Sequence, residues 1–128
     1  MRTINPDGMF LKIDDHMTIE EVQDRFQECF PFLRIAFYSK AHKKFAISDK
    51  RYQHDGKMRI ADIRKNHYNG VLEIKSWQTT SRIEHELKEV FGLNAQIFRQ
   101  DGKNGWVQTS LSDDFTLQQQ GEIGSGIP

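Results

Sequence analysis

Along the first third of the chain, apolar residues recur at every second position in some stretches and at every third or fourth position in another. The first spacing predicts a strand, and the second predicts a helix. Residues 9–13 alternate as a half-buried strand does. The first helix is predicted to begin at Thr18, because Glu21 three residues later completes a capping box. A second strand is predicted from Leu33 to Tyr38. The buried stripe of the helix is predicted at spacings of three and four residues: Ile19, Val22, Phe26 and Phe30.

The second half of the chain has the same order of elements. A strand is predicted over residues 71–75, followed by a helix that is capped by either Thr79 or Ser81. Gly92 is the expected stop of this helix. Two further strands, residues 95–99 and 106–110, are joined by Asp-Gly and Asn-Gly pairs that are typical of a hairpin. The core face of the second helix is predicted to be Ile83, Leu87, Val90 and Phe91.

An internal repeat relates the two halves. Displacing the sequence by 61 residues aligns Leu11 with Leu72 and carries the match through both helices. The same displacement equates Phe98 with Phe37, which faces the core in the predicted second strand. Strict alternation instead places Ala95 and Ile97 inward, so the sequence leaves two possibilities for the face that Phe98 occupies.

The order of elements is strand, helix, strand, strand, helix, strand, with one extra C-terminal strand. This order predicts an α+β fold of the ferredoxin-like, split βαβ type, with both helices on one face of an antiparallel sheet. We expect a single domain over residues 1–120, with an insertion at residues 39–70 between strands two and three. Residues 121–128 are rich in glycine and are predicted to form a flexible tail.

Composition narrows the classes of protein that this chain can belong to. The chain has 128 residues, of which 37% are hydrophobic, and this is sufficient for one core. One cysteine excludes a disulfide scaffold, and no apolar run approaches the roughly 20 residues that a membrane span needs. We therefore expect a cytoplasmic protein with no membrane partner.

Charge is balanced over the whole chain but not along it. The 18 basic residues equal the 18 acidic ones, yet residues 40–67 contain nine basic and only three acidic side chains. A segment of this kind can attract an anionic partner or a second copy of the chain. It can also be the solvated surface of a long loop.

Exposed positions of the predicted sheet supply further candidates for binding. On the outer face we expect Phe10 and Lys12 of the first strand, Arg34, Ala36 and Tyr38 of the second, and Val71, Glu73 and Lys75 of the third. Aromatic residues on such a face stack against nucleic-acid bases or pack against another protein. The candidate partner-binding residues are Lys43, Lys44, Lys50, Arg51, Lys57, Phe10 and Tyr38.

Catalysis, metal binding and cofactor binding are not expected. No pair of histidines has the spacing of metal ligands, and Cys29 has no histidine partner fixed by the sequence. No glycine-rich phosphate loop follows a strand. We find no combination of an acid, a base and an oxyanion donor, so the sequence predicts neither catalytic nor metal-binding residues and no cofactor.

Two stretches of the second half resemble a known group of proteins. Residues 87–99, LKEVFGLNAQIFR, and residues 109–117, TSLSDDFTL, are similar to a group of small uncharacterised bacterial α+β domains. The resemblance implies a free-standing bacterial cytosolic protein. That group has no established function, so no functional residue is transferred from it.

The function predicted from the sequence is non-catalytic. We expect a binding or protein-interaction module, whose partner is another protein and which can form a homo-oligomer. The alternative is RNA or single-stranded DNA binding through the basic segment and the exposed aromatic residues of the sheet.

Overall fold

A computed structural model describes residues 8–42, 46–102, 105–112 and 114–126. Within these ranges the protein is α+β, with five strands and three α-helices. The strands are Gly8–Ile13 (β1), Leu33–Tyr38 (β2), Gly70–Lys75 (β3), Asn94–Gln100 (β4) and Trp106–Gln108 (β5). The helices are Ile19–Cys29 (α1), Thr80–Phe91 (α2) and Leu117–Ser125 (α3).

The strands form two antiparallel sheets. β1 pairs with β3, and β4 lies between β2 and β5. The prediction of one sheet with both helices on one face is therefore wrong, and the ferredoxin-like order is not confirmed. The connection from β2 to β3 is about thirty residues long, so nothing forces these two strands to be hairpin neighbours. Each strand pairs instead with its counterpart in the other half.

In each sheet, one residue lies directly opposite its counterpart in the other half of the chain. Leu11 is paired with Leu72, the residue 61 positions later. In the second sheet Ile35 is paired with Ile97, which is 62 positions later, so the repeat shifts by one residue between helix and strand. This shift settles the face of Phe98: Ala95 and Ile97 are buried in the core, and Phe98 lies on the opposite face, paired with Arg34.

Local signals place both helices as predicted. The Thr18 hydroxyl accepts from the backbone N–H of Glu21, and the Glu21 carboxylate accepts from that of Thr18. Thr79, not Ser81, caps α2. Gly92 ends α2 at φ 69°, the left-handed conformation that glycine adopts without steric cost. Val90 is exposed, so its predicted place on the core face is wrong.

The core lies between the helices and the inward faces of the two sheets. The predicted stripe of α1 is buried, together with the inward residues of all four long strands. Their burial supplies the hydrophobic stabilisation of the fold. The largest fully buried side chains are Phe26, Phe37, Phe91, Leu11, Ile13, Ile19, Leu33, Ile35, Ile60, Ile74, Ile83 and Leu87.

Each half contains a short segment that pairs with the residues at the start of its helix. We call residues 58–60 and residues 115–117 the closing segments of the first and second halves. The Ile60 N–H donates to the Met17 carbonyl in the first half, and the Leu117 N–H donates to the Gln78 carbonyl in the second. Both apolar side chains are buried. Residues 39–70, predicted as an insertion, thus contain the counterpart of the C-terminal part of the chain. The predicted tail from residue 121 is helical as far as Ser125.

Candidate functional site

The structure separates the residues that the sequence predicts to bind a partner. Phe10 lies on the outer face of the β1–β3 sheet, with 70% of its surface exposed. Tyr38 and Lys50 meet in a pocket on the other sheet. Arg51 and Lys57 are exposed and do not line that pocket. Lys43 and Lys44 lie outside the described residues.

The predicted exposure of Tyr38 is wrong, because the chain after β2 turns back and pairs with the end of this strand, so that Gln53 lies opposite Tyr38. The Ser39 N–H donates to the Tyr52 carbonyl, and the His54 N–H donates to the Phe37 carbonyl. Only 3% of Tyr38 remains exposed. Burial raises the pKa of Tyr38 to about 12, although the nearby Arg34 charge opposes the rise. The phenol is therefore neutral at physiological pH.

A pocket of about 300 Å³ remains open on the outer face of the β2–β4–β5 sheet, and we call it the Arg34 pocket. Sheet pairing explains its composition, because Arg34 is opposite Phe98, Phe98 is opposite Gln108, and Trp106 lies two residues before Gln108 on the same face. The lining residues are Arg34, Tyr38, Lys50, Gln53, Phe98, Trp106 and Gln108.

The two cations of the Arg34 pocket are not neutralised. The Arg34 guanidinium carbon lies 5.4 Å from the ring centroid of Trp106, within the range of a cation–π contact. Among the described residues, no carboxylate lies within ion-pair distance of Arg34 or Lys50, and none lines the pocket. The pocket therefore combines uncompensated positive charge with aromatic surface.

A second cluster of cations and aromatic surface lies beside the Arg34 pocket, around Tyr52. The Lys40 ammonium is 4.3 Å from the Tyr52 ring centroid, and the Arg51 guanidinium is 5.6 Å from it. Asp49 pairs with Arg51 at 2.7 Å, and this contact lowers the pKa of Asp49 and raises that of Arg51. Among the described residues no carboxylate lies within ion-pair distance of the Lys40 ammonium, whereas Arg51 is paired with Asp49.

The outer face of the β1–β3 sheet has a different character. Phe10 is opposite Glu73, and Lys12 is opposite Val71. All four side chains are exposed. The four residues form the corners of a square on the sheet. Phe10 and Val71 lie at one pair of opposite corners, and Lys12 and Glu73 lie at the other pair. We call these four residues the diagonal face.

A buried polar network joins α2 to β4. The Gln96 amide oxygen accepts from the hydroxyls of Ser48 and Ser110, and its nitrogen donates to the Ile97 carbonyl. The Glu84 carboxylate accepts from the Ile97 N–H at 2.8 Å. β5 pairs with Phe98, Arg99 and Gln100 and does not extend as far as Ile97. This network holds Ser48 against the outer face of β4.

His42 and Glu84 lie at a small cavity of about 170 Å³. His42 Nε2 is 3.4 Å from the second carboxylate oxygen of Glu84. A histidine oriented by a carboxylate is one part of many hydrolytic sites, but this carboxylate also serves the network around Gln96. The cavity is lined by Ala41, His42, Ser81, Glu84, His85, Lys88, Asn94 and Ala95.

A buried arginine ties three segments together at the other end of the molecule. The Arg64 side chain is fully buried and donates to Asp15, to Asn69 and to the carbonyls of Tyr68 and Phe91. These five hydrogen bonds use all five donors of the guanidinium. The side chain therefore has no capacity left for a ligand, and its role is structural.

Two features were sought in the described ranges: a group of metal-ligand side chains and a helix that could span a membrane. No three His, Cys, Asp or Glu side chains in residues 8–42, 46–102, 105–112 and 114–126 form a group that could hold a metal ion. No helix in the same ranges is both long and apolar enough to cross a membrane.

Sequence reasoning missed most of the Arg34 pocket. Phe98 and Trp106 were not among the predicted binding residues, because their common face depends on the register of the β4–β5 hairpin. The Asp-Gly and Asn-Gly turn signals fix such a hairpin only approximately. With the observed register, alternation along β4 and β5 places Phe98, Trp106 and Gln108 on one face.

Comparison with protein-family models, with curated proteins and with solved structures finds no match to this chain.

Proposed function

We propose that this protein is a non-catalytic, cytoplasmic interaction module that associates with a second copy of itself through the diagonal face. One observation supports the proposal: two apolar and two oppositely charged side chains alternate around four neighbouring positions of an uncovered sheet face. Exposed aromatic and aliphatic residues grouped on a sheet mark a protein contact more often than a chance surface.

The charge pattern favours a second copy as the partner. When two copies pack face to face about a twofold axis that runs along the line from Phe10 to Val71, each Lys12 meets Glu73 of the other copy. Each apolar side chain then meets its own counterpart. An axis along the other diagonal places Lys12 against Lys12, which is unfavourable. The face is therefore self-complementary in one orientation.

The area of this contact limits the affinity that we expect between two copies. Four side chains cover less than the roughly 800 Å² per partner of a standard interface, so we expect a dissociation constant on the order of micromolar. Trp77, which is 68% exposed just after β3, can enlarge the contact. Glu73 also pairs with Lys75 at 3.2 Å within its own chain. Both groups are well exposed, so that pair is weak enough to yield to an intermolecular one.

Charge reversal tests the proposal. Lys12→Glu alone and Glu73→Lys alone each place like charges across the interface, so each variant should sediment as a monomer at about 100 µM, where the wild type is a dimer. An equal mixture of the two variants restores both cross-interface pairs, so it should sediment as a heterodimer. Analytical ultracentrifugation measures all four samples.

Lys57→Glu is the matched control. Lys57 is exposed but lies in the loop before the first closing segment, away from the diagonal face. This variant should dimerise as the wild type does. A wild type that stays monomeric, single variants that still dimerise, or a mixture that stays monomeric would each contradict the proposal.

A further inference from the structure

We propose that the outer face of the β2–β4–β5 sheet binds single-stranded nucleic acid, with one nucleotide in the Arg34 pocket. This function uses residues other than the diagonal face and is independent of self-association. The observation behind it is the meeting of two unpaired cations with aromatic surface in one open pocket.

The lining of the pocket selects the chemistry of its ligand. Arg34 and Lys50 bring positive charge, and no carboxylate among the described residues lines the pocket to repel an anion. Phe98 and Trp106 supply flat apolar surface on which a planar ring can stack. A ligand that combines an anion with a planar ring satisfies both features, and a nucleotide unit is such a ligand.

The size of the pocket fits one unit of this ligand. A volume of about 300 Å³ lies at the small end of ligand sites, which suits a single base with part of its backbone. The pocket is partly open to solvent, so a strand bound there can continue beyond it.

A second position follows along the same surface. Tyr52 is the residue before Gln53 of the pocket, and its ring lies beneath the ammonium of Lys40. A phosphate near Tyr52 can therefore contact the Lys40 ammonium, and the Asp49 carboxylate of this cluster is already paired with Arg51. Proteins that bind single-stranded nucleic acid combine aromatic surfaces, on which the bases stack, with cations that contact the phosphates.

One side chain of the pocket can read a base edge. Both ends of the Gln108 amide are engaged with the backbone of Ser48. The Gln53 side chain makes no hydrogen bond among the described residues, so its amide offers both a donor and an acceptor. Single-stranded bases expose their pairing edges to such groups.

Binding of fluorescently labelled single strands of about ten nucleotides, RNA and DNA, tests the inference at about 50 and about 200 mM salt. If three phosphates are contacted, affinity should fall about twentyfold between these salt concentrations. Arg34→Gln and Trp106→Leu should each weaken binding about tenfold at the lower salt concentration.

Lys57→Gln is the matched control, because it removes one positive charge outside the pocket. It should change the affinity by less than about twofold. Trp106 emission provides a second readout in a Trp77→Phe background, where it is the only tryptophan left. A stacked base should quench this emission in the folded protein.

Four results would overturn the inference. They are no binding at the lower salt concentration, equal losses in Lys57→Gln and Arg34→Gln, equal binding of a poly-glutamate peptide, and equal binding of a single mononucleotide. The last two would assign the pocket to acidic protein segments or to free nucleotides.

Discussion

Leu11 and Leu72 lie directly opposite each other across the β1–β3 pair, and each is the counterpart of the other in the internal repeat. In an antiparallel pair of strands, a residue that lies opposite its own counterpart marks a local twofold axis, and this axis relates the two strands. Ile35 and Ile97 mark the same relation in the second sheet. The two halves therefore interlock, and each sheet takes strands from both.

The closing segment of the first half should matter for stability as a core element does. Ile60 is fully buried, whereas Ile47 in the same predicted insertion is 74% exposed. We expect Ile60→Ala to lower the free energy of unfolding by about 2–4 kcal/mol and Ile47→Ala by less than about 0.5 kcal/mol. Urea denaturation of the two variants measures both values. Equal losses would show that Ile60 is not packed in the core.

The buried arginine should be far more costly to remove than an exposed one. Arg64→Ala leaves one oxygen of the Asp15 carboxylate and two backbone carbonyls without their donor, so we expect a loss of about 3–5 kcal/mol. Arg82 pairs with Glu86 on the surface of α2. Arg82→Ala should cost less than about 0.5 kcal/mol in the same denaturation experiment.

Acid should weaken the same cluster. Desolvation acts to raise the pKa of Asp15, but hydrogen bonds and charges from Arg64 and His67 outweigh it and hold that pKa below its usual 3.8. A carboxylate with a lowered folded-state pKa stabilises the fold above its unfolded pKa, and this contribution disappears as pH falls through the folded value. Stability should therefore decline below about pH 4, measured by urea denaturation across pH.

Asp15→Asn is the control for this pH dependence, because the amide does not titrate. It should be less stable at neutral pH and should decline less in acid than the wild type. An identical acid profile in both proteins would assign the decline to other carboxylates.

Local features of this fold could be predicted from the sequence. The capping box of Thr18 and Glu21 and the stop at Gly92 depend on residues within one helical turn, and both are confirmed. The buried stripe of α1 follows from helical spacing alone. Such signals need no information about the rest of the chain.

Pairing between distant segments could not be predicted in the same way. Tyr38 is buried because the chain returns to β2 at Tyr52, fourteen residues later. A hydrogen bond between Ser48 and Gln96 anchors this returning part of the chain. The Arg34 pocket depends on Trp106, 72 positions away in the chain. Neither contact leaves a periodic pattern, so both appear only in the folded structure.

The interlocked pairing of the two halves has a consequence for synthesis. Among the described strands, every pair except the β4–β5 hairpin joins residues about sixty positions apart. During translation the first half emerges with two strands and no strand to receive them, so neither sheet can form until β3 and β4 have left the ribosome. We therefore expect both sheets to form only after β3 and β4 have emerged, and β1 and β2 to lack their sheet partners until then.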